Sequence, residues 1–416
     1  MDYLNVGDKI FHKTDKTPAT IVSIEDSIIT IDLENEIAGR KRLKLPKSHI
    51  GQWLFFSIDD MSLSYEDLSS HPMYAGSQNS NILEVNNRHK SATLLLDHLK
   101  KNYQFEGFFH YTDFRNLLSI MTDGFLYSRA NNPVKNYFNS ANLEIIDHTE
   151  KDIKENVRFY YKGKTPTNYC IEGIRRDFCD SQMPIPVLLL FSEEIAYHQG
   201  VEFLGISGAK KAKIRTKKPD EAMTHFNWDL IFDRSIYKVY SDDPRFLERK
   251  KNFSNHRNAE FLYPQKISTS FIKKIVFRTQ ADMKNAIEII GKDSRYALDE
   301  HNYYFMYSQL FGTVNFLLDY EIRRAYNFFE CTFQFFMPFT SGYKHLIIIY
   351  LKDNSHVKID PEAPDTYVTR LPVDDFVNNT LRLRIDIHNI DTVEKIEYSI
   401  NGITSAVWRN SFDKVL

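Results

Sequence analysis

The chain has 416 residues, 42% of them hydrophobic and 26% charged, with 15 Gly and 14 Pro; it is too long for one ordinary core and too apolar for a disordered chain. A net charge of −2 excludes a global basic field for nucleic acid or an anionic membrane, so any such affinity has to come from local patches. Cys170, Cys179 and Cys331 are too few and scattered for a disulfide framework or a zinc knuckle, and no run reaches the roughly 18 apolar residues of a membrane span. With no apolar signal-peptide core in "MDYLNVGDKIFHK", a soluble cytoplasmic protein without a membrane partner is expected.

Residues 1–57 read as an all-β unit. "ATIVSIEDSIITIDL" alternates about a turn at Glu25–Asp26 and "RKRLKLPKSHIGQWLFFS" adds strands, which predicts a small SH3-like β-barrel. Arg40, Lys41, Arg42, Lys44 and Lys47 make it either an adaptor module or a nucleic-acid platform. Residues 58–104 start as a polar linker, "SSHPMYAGSQNSN", and continue into a helix with Leu94, Leu95 and Leu99 assigned to its apolar face. Residues 105–299 alternate buried strands ("FEGFFHY", "VLLLF", "AEFLY", "IKKIVF") with helices, one capped by Asp113 and Gly124, another starting from Thr279. Residues 300–416 are β-rich. In "LRLRIDIHNI" the residues Leu381, Leu383, Ile385 and Ile387 alternate with polar ones, and Asn401–Gly402 marks a hairpin turn. The fold class expected is α+β, with a β-sandwich-like C-terminal domain.

Several chemistries have no support: there is no GxGxxG, P-loop, HExxH or GxSxG. "GISGAKK" at 205–211 lacks the length and the Ser/Thr of a P-loop and reads as a turn. What stands out is "NHRNAEFLYPQKI" at 255–267, where Glu260 lies in an apolar run preceded by Arg245, Arg249, Lys250, Lys251, His256 and Arg257. On that stretch alone, Glu260 is a solvent-facing strand residue paired with Arg257.

Four blocks occur in order: "FFHYTDFRNLLSIMTDGFLYSR" (108–129), "VRFYYKGKTPTNYCI" (157–171), "FNWDLIFD" (226–233) and "NAEFLYPQKISTSFIKKIVF" (258–277). Together they resemble the DarT family, toxins that ADP-ribosylate DNA bases using NAD; the likeness covers the central domain only. The resemblance implies an ADP-ribosyltransferase fold over 105–299, NAD as co-substrate and no metal. It makes Glu260 the catalytic carboxylate, and His110 a hydrogen-bonding partner of a ribose hydroxyl, with Tyr111 and Thr112 shaping the same wall. Asn116 would face the nicotinamide side, and Tyr160 and Tyr161 are the aromatics expected to stack on it. A carboxylate suits this chemistry because breaking the nicotinamide–ribose bond builds up oxocarbenium-like charge, and the same group can deprotonate a base amide. The family also carries a functional arginine before the aromatic strand. Residues 130–157 contain none, which leaves Arg129 or Arg158, at either side of the gap, to serve the NAD phosphates.

Two basic runs, "KKAKIRTKK" (210–218) and "RFLERKKNFSNHR" (245–257), belong to the same domain. Lys210, Lys211, Arg249, Lys250, Lys251 and Arg257 are the candidates for a phosphate backbone, with Phe246 and Phe253 as base-stacking groups. Single-stranded nucleic acid is the expected acceptor, since its bases need no extrusion from a duplex. DNA leads and RNA comes second. The resemblance further implies a toxin–antitoxin or anti-phage setting with a cognate antitoxin. The alternative from another class is a catalytically inactive nucleic-acid-binding or sensor protein.

Overall fold

The computed structural model describes residues 9–12, 18–24, 28–37, 40–46, 53–55, 79–133, 137–139, 146–175, 183–209, 214–233, 253–301, 303–305, 314–337, 342–361, 368–370, 379–387 and 389–410. The chain divides into two compact units, Met1–Asn86 and Asn87–Leu416. The first is a five-stranded antiparallel sheet in the order Arg40–Pro46, Ile28–Ile37, Pro18–Ile24, Lys9–His12, Trp53–Phe55. An SH3-like barrel was the expectation; among the described residues no ladder closes this sheet.

The second unit opens with helix α1, Asn79–Tyr103, of which the residues from Asn87 onward belong to it. Its buried face is Ala92, Leu95, Leu96 and Leu99, while Leu94 is exposed. The sequence expectation put Leu94 inward. The buried set follows the i, i+3, i+4, i+7 spacing from Ala92, which leaves Leu94 on the far side.

Eight strands build the central sheet: β1 Phe108–Asp113, β2 Asn156–Tyr160, β3 Pro186–Phe191, β4 Glu202–Leu204, β5 Arg215–Thr216, β6 Glu260–Pro264, β7 Ile272–Phe277 and β8 Tyr296–Leu298. Their spatial order is β5-β4-β6-β2-β1-β3-β7-β8. All pairs are antiparallel except β7–β8. Alternation sends Phe108, Phe159, Phe203 and Phe261 to one face, where Phe108 stacks on Phe261 at 4.0 Å and Phe203 meets it at 5.3 Å. Each fully buried ring contributes about 2–3 kcal/mol. The opposite face carries Phe109, Tyr111, Leu188 and Leu190, packed with Phe305.

Helix α2, Phe114–Asp123, follows β1 directly. Asp113 caps it by accepting from the Arg115 amide, and Gly124 closes it at φ 72°, a left-handed position that costs glycine little. Helix α3, Gln280–Ile289, is capped by the Thr279 hydroxyl, which accepts from the Asp282 amide. Beyond it lie two four-stranded antiparallel sheets. One holds Leu317–Arg324, Phe328–Phe335, Thr380–Asp386 and Val368–Arg370; the other His356–Ile359, His345–Leu351, Val393–Ile400 and Ile403–Arg409. Leu381, Leu383 and Ile385 are buried as their alternation requires, and Asn401–Gly402 makes the two-residue turn at φ 49° and 77°. Aromatics join the sheets: Phe333 stacks on Tyr398 at 4.1 Å and Phe329 meets Trp408 at 4.9 Å. The fold is thus α+β, with one large mixed sheet in the second unit.

Candidate active site

Glu260 begins β6 opposite Tyr160, and Leu262 lies opposite Arg158. The period of two therefore brings Glu260, Arg158 and Tyr160 to one face of the sheet. Arg158 grips the carboxylate with two nitrogens, Nε to Oε2 at 2.8 Å and Nη2 to Oε1 at 2.6 Å. The Glu260 side chain is 1% exposed and that of Arg158 30%. A buried carboxylate without a partner costs several kcal/mol, and a fork of two charge-assisted bonds offsets this. Burial works against the charge on Arg158, but the Glu260 carboxylate outweighs it and holds the guanidinium pKa above its ordinary value.

Glu260 is thus paired with Arg158 rather than with the sequence neighbour Arg257. The signal was present in "VRFYY": an arginine between two apolar residues of a strand must find its partner on its own face. Tyr160 stands beside the pair, its hydroxyl pushed up to about 12 by burial and then by the Glu260 charge.

β1 and β2 share a single ladder pair, Phe109–Tyr160. Past that pair His110 Nδ1 donates to the Arg158 carbonyl at 2.9 Å, so the imidazole bridges the strands where the ladder stops. The ring lies edge-on to Phe159 at 5.8 Å, on the face opposite Glu260. Burial lowers its pKa to about 4. A neutral imidazole donating from Nδ1 keeps Nε2 as an acceptor.

The neighbours divide by alternation. The Tyr111 hydroxyl donates to the Tyr304 carbonyl at 2.9 Å and accepts from the Lys164 amide at 3.1 Å, making it a buried strut on the Glu260 face. Tyr161 lies on the other face, 1% exposed and edge-on to Trp228 at 5.1 Å. Of the two expected stacking aromatics, only Tyr160 shares the face of Glu260.

Asn116 acts on backbone. Its Nδ2 donates to the Phe138 carbonyl at 2.9 Å and its Oδ1 accepts from the Phe138 amide at 2.8 Å, while buried Thr112 Oγ1 takes a further bond from Nδ2 at 3.2 Å. Arg115 lies 3.7 Å over the Phe138 ring. Arg129 binds Asn139 Oδ1 at 2.6 Å and lies 5.3 Å over the Tyr137 ring. Residues 137–139 are held by Asn116 and Arg129, which the resemblance had assigned to NAD, and by Arg115, which it had not.

Residues 109–305 match the family model described as ssDNA thymidine ADP-ribosyltransferase, DarT. The central domain is a DarT-like ADP-ribosyltransferase domain. Solved structures similar to the chain include Thermus sp. 2.9 DarT in complex with NAD+, at 17% identity and TM-score 0.36, covering 47% of this chain and 96% of that one. The same protein in complex with ADP-ribosylated ssDNA gives 18% identity and TM-score 0.38 over 47% and 95%. Thermosipho africanus DarTG in complex with ADP-ribose gives 14% and 0.37 over 49% and 52%. No curated protein matches the sequence.

In the DarT-like domain, Lys210, Lys211, Arg249, Lys250 and Lys251 lie outside the described residues. The described cations of the same runs are engaged. Arg215 pairs with Glu202 and Asp152, Lys217 with Glu202 at 3.6 Å and Lys218 with Glu221 at 3.0 Å. Arg257 lies 4.9 Å over the Phe253 ring, and burial lowers its pKa.

Nε2 of His110 is left as an acceptor on one face, and Tyr160 and the Glu260 carboxylate share the other. "GISGAKK", read from sequence as a turn, also belongs to the site. Its Gly208 lies so close that a Cβ there would meet Glu260 Oε2 at 2.7 Å.

Proposed function

We propose that the chain transfers ADP-ribose from NAD to a base of single-stranded DNA, thymidine by the family's description, with Glu260 as the catalytic carboxylate. The observation that carries this is the buried carboxylate at the head of β6, gripped by both arms of Arg158 within a DarT-like domain. NAD supplies the ADP-ribosyl group, and nicotinamide leaves. The chain's own residues do the rest. Glu260 accepts hydrogen bonds from the reacting ribose, stabilises developing positive charge and takes the proton released by the acceptor base. Arg158 fixes the direction of that carboxylate, and His110, on the opposite face where the β1–β2 ladder stops, is read as a neutral acceptor for a ribose hydroxyl elsewhere on NAD. Arg129 and the clasped segment 137–139 are read as the side wall of the NAD cleft.

The domain limits follow the sequence: an SH3-like module over 1–57, linker and helix over 58–104, the transferase over 105–299 and a β-sandwich-like module over 300–416. In this reading the chain is a cytoplasmic toxin with an antitoxin partner in a defence or toxin–antitoxin system, and the flanking β modules are its sites for targeting or neutralisation.

Purified protein and Glu260→Gln, incubated with labelled NAD and separate pools of single-stranded DNA, RNA and protein, test the activity. Label in the DNA pool that disappears in the variant supports the reading. Label in RNA alone moves the acceptor class, and NAD left intact with no label anywhere refutes transfer. Expression tests the toxin role, which requires poor growth rescued by Glu260→Ala.

A further inference from the structure

We propose that Gly208 is a positioning residue for Glu260, an inference that rests on the catalytic reading of that carboxylate. Two residues bear on the end of Glu260. Arg158 holds Oε2 through Nε at 2.8 Å and Oε1 through Nη2 at 2.6 Å. The other is Gly208: a Cβ built there lies 2.7 Å from Oε2, 3.4 Å from Leu204 Cδ2 and 3.5 Å from the carboxyl carbon. Arg158 therefore pulls the carboxylate from one side while Gly208 blocks its swing on another.

The loop cannot retreat easily. The Gly205 amide donates to the Ile214 carbonyl at 2.9 Å, and His256 Nδ1 donates to the Gly205 carbonyl at 3.0 Å. The Ser207 amide donates to the Asn255 carbonyl at 3.0 Å. Gly205 itself is backed by the Phe226 ring, which an added Cβ would meet at 2.9 Å. Both anchors on the far side, Asn255 and His256, lie just ahead of β6 in the chain. The same short segment that delivers Glu260 to its strand therefore also holds the loop that limits its side chain.

The φ of Gly208 lies outside the left-handed region, so alanine is acceptable to the backbone there. Its methyl conflicts with one thing, a carboxylate oxygen at the end of a side chain. The change is thus acceptable to the backbone but costly for the carboxylate, which must leave at least one Arg158 bond.

The test is Gly208→Ala, assayed for ADP-ribose transfer to single-stranded DNA and melted alone and in the Glu260→Ala background. Transfer is expected to lose about a hundredfold in kcat, the order that follows from a misplacement of about 1 Å. KM for NAD is expected to change little, because His110 lies on the other face. Alanine at 208 is expected to lower the thermal midpoint of the wild type, but not that of Glu260→Ala, where no oxygen is left to meet; such non-additivity reports direct contact. A kcat within twofold of wild type, or additive midpoints, overturns the inference. A wild-type chain that transfers nothing but shows non-additive midpoints refutes the catalytic reading instead, and reduces Gly208 to a packing contact.

Discussion

At the scale of single residues the site is an ion pair and an imidazole, and each has a separate test. Arg158→Met leaves the Glu260 carboxylate in a buried place with no counter-charge, where breaking such a pair costs about 3–5 kcal/mol. With the arginine side chain 30% exposed, water relieves part of this, and about 3 kcal/mol in urea unfolding is expected. Glu260→Gln keeps the shape and is expected to abolish transfer while leaving the far-ultraviolet circular dichroism unchanged. His110 is expected to show itself through pH. Its pKa is lowered from 6.5 to about 4 by burial, so the folded chain keeps it neutral where the unfolded chain already binds a proton. Its contribution to stability is therefore complete above pH 6.5 and lost as pH falls towards about 4. NAD affinity should stay level from pH 8 to pH 5 as far as this group is concerned. A midpoint near the unperturbed imidazole value in a binding titration, removed by His110→Gln, would contradict a buried neutral acceptor.

At the scale of elements, what was legible in the sequence was local. Asp113, Gly124, Thr279 and the Asn401–Gly402 turn were readable because caps and turns are decided within three or four residues. The partner of Glu260 was not, because Arg158 lies 102 residues away and only strand register brings the two together. Gly208 was missed for a related reason: a glycine needed for close approach looks in sequence like any turn glycine. Asn116 shows the same limit in another form. Its position could be matched to a family asparagine, but not the fact that it mimics a strand edge for Phe138. Asn116→Ala removes both bonds to that residue, a loss of about 1–2 kcal/mol. The expected result is rapid amide exchange at Phe138 with the exchange of the β1 core unchanged. Equal protection in both proteins would show that Arg115 and Arg129 suffice to hold the segment.

For the molecule as a whole, the question is whether the C-terminal sheets are an appendage or a wall of the transferase domain. The contacts favour a wall. Arg278, 1% exposed, lies 3.7 Å over the Phe316 ring. Asn285 on α3 donates to the Ser405 carbonyl at 2.7 Å and accepts from the Tyr320 hydroxyl at 3.1 Å, which also approaches the Val407 carbonyl at 2.8 Å. The pair Val314–Asn315 even adds a ladder to Ile174–Arg175 of the central domain. Losing these partners would expose the apolar side of α3 and the rings packed on it to water, a loss of about 1.5–3 kcal/mol for each fully buried large side chain, against a total stability of only about 5–15 kcal/mol. A chain ending before residue 314 is therefore expected to lose its cooperative melt and NAD binding together. Tyr320→Phe, a milder cut at the same seam, is expected to cost about 1–3 kcal/mol while leaving the assembled site active. By contrast, Met1–Asn86 forms its own compact unit, and a chain starting at residue 87 keeps Leu95, Leu96 and Leu99 of α1 in the core. Its melting transition should survive. If the chain lacking residues 314–416 melts cooperatively and binds NAD as the full chain does, the C-terminal sheets are an appendage after all, and the buried seam along α3 is dispensable.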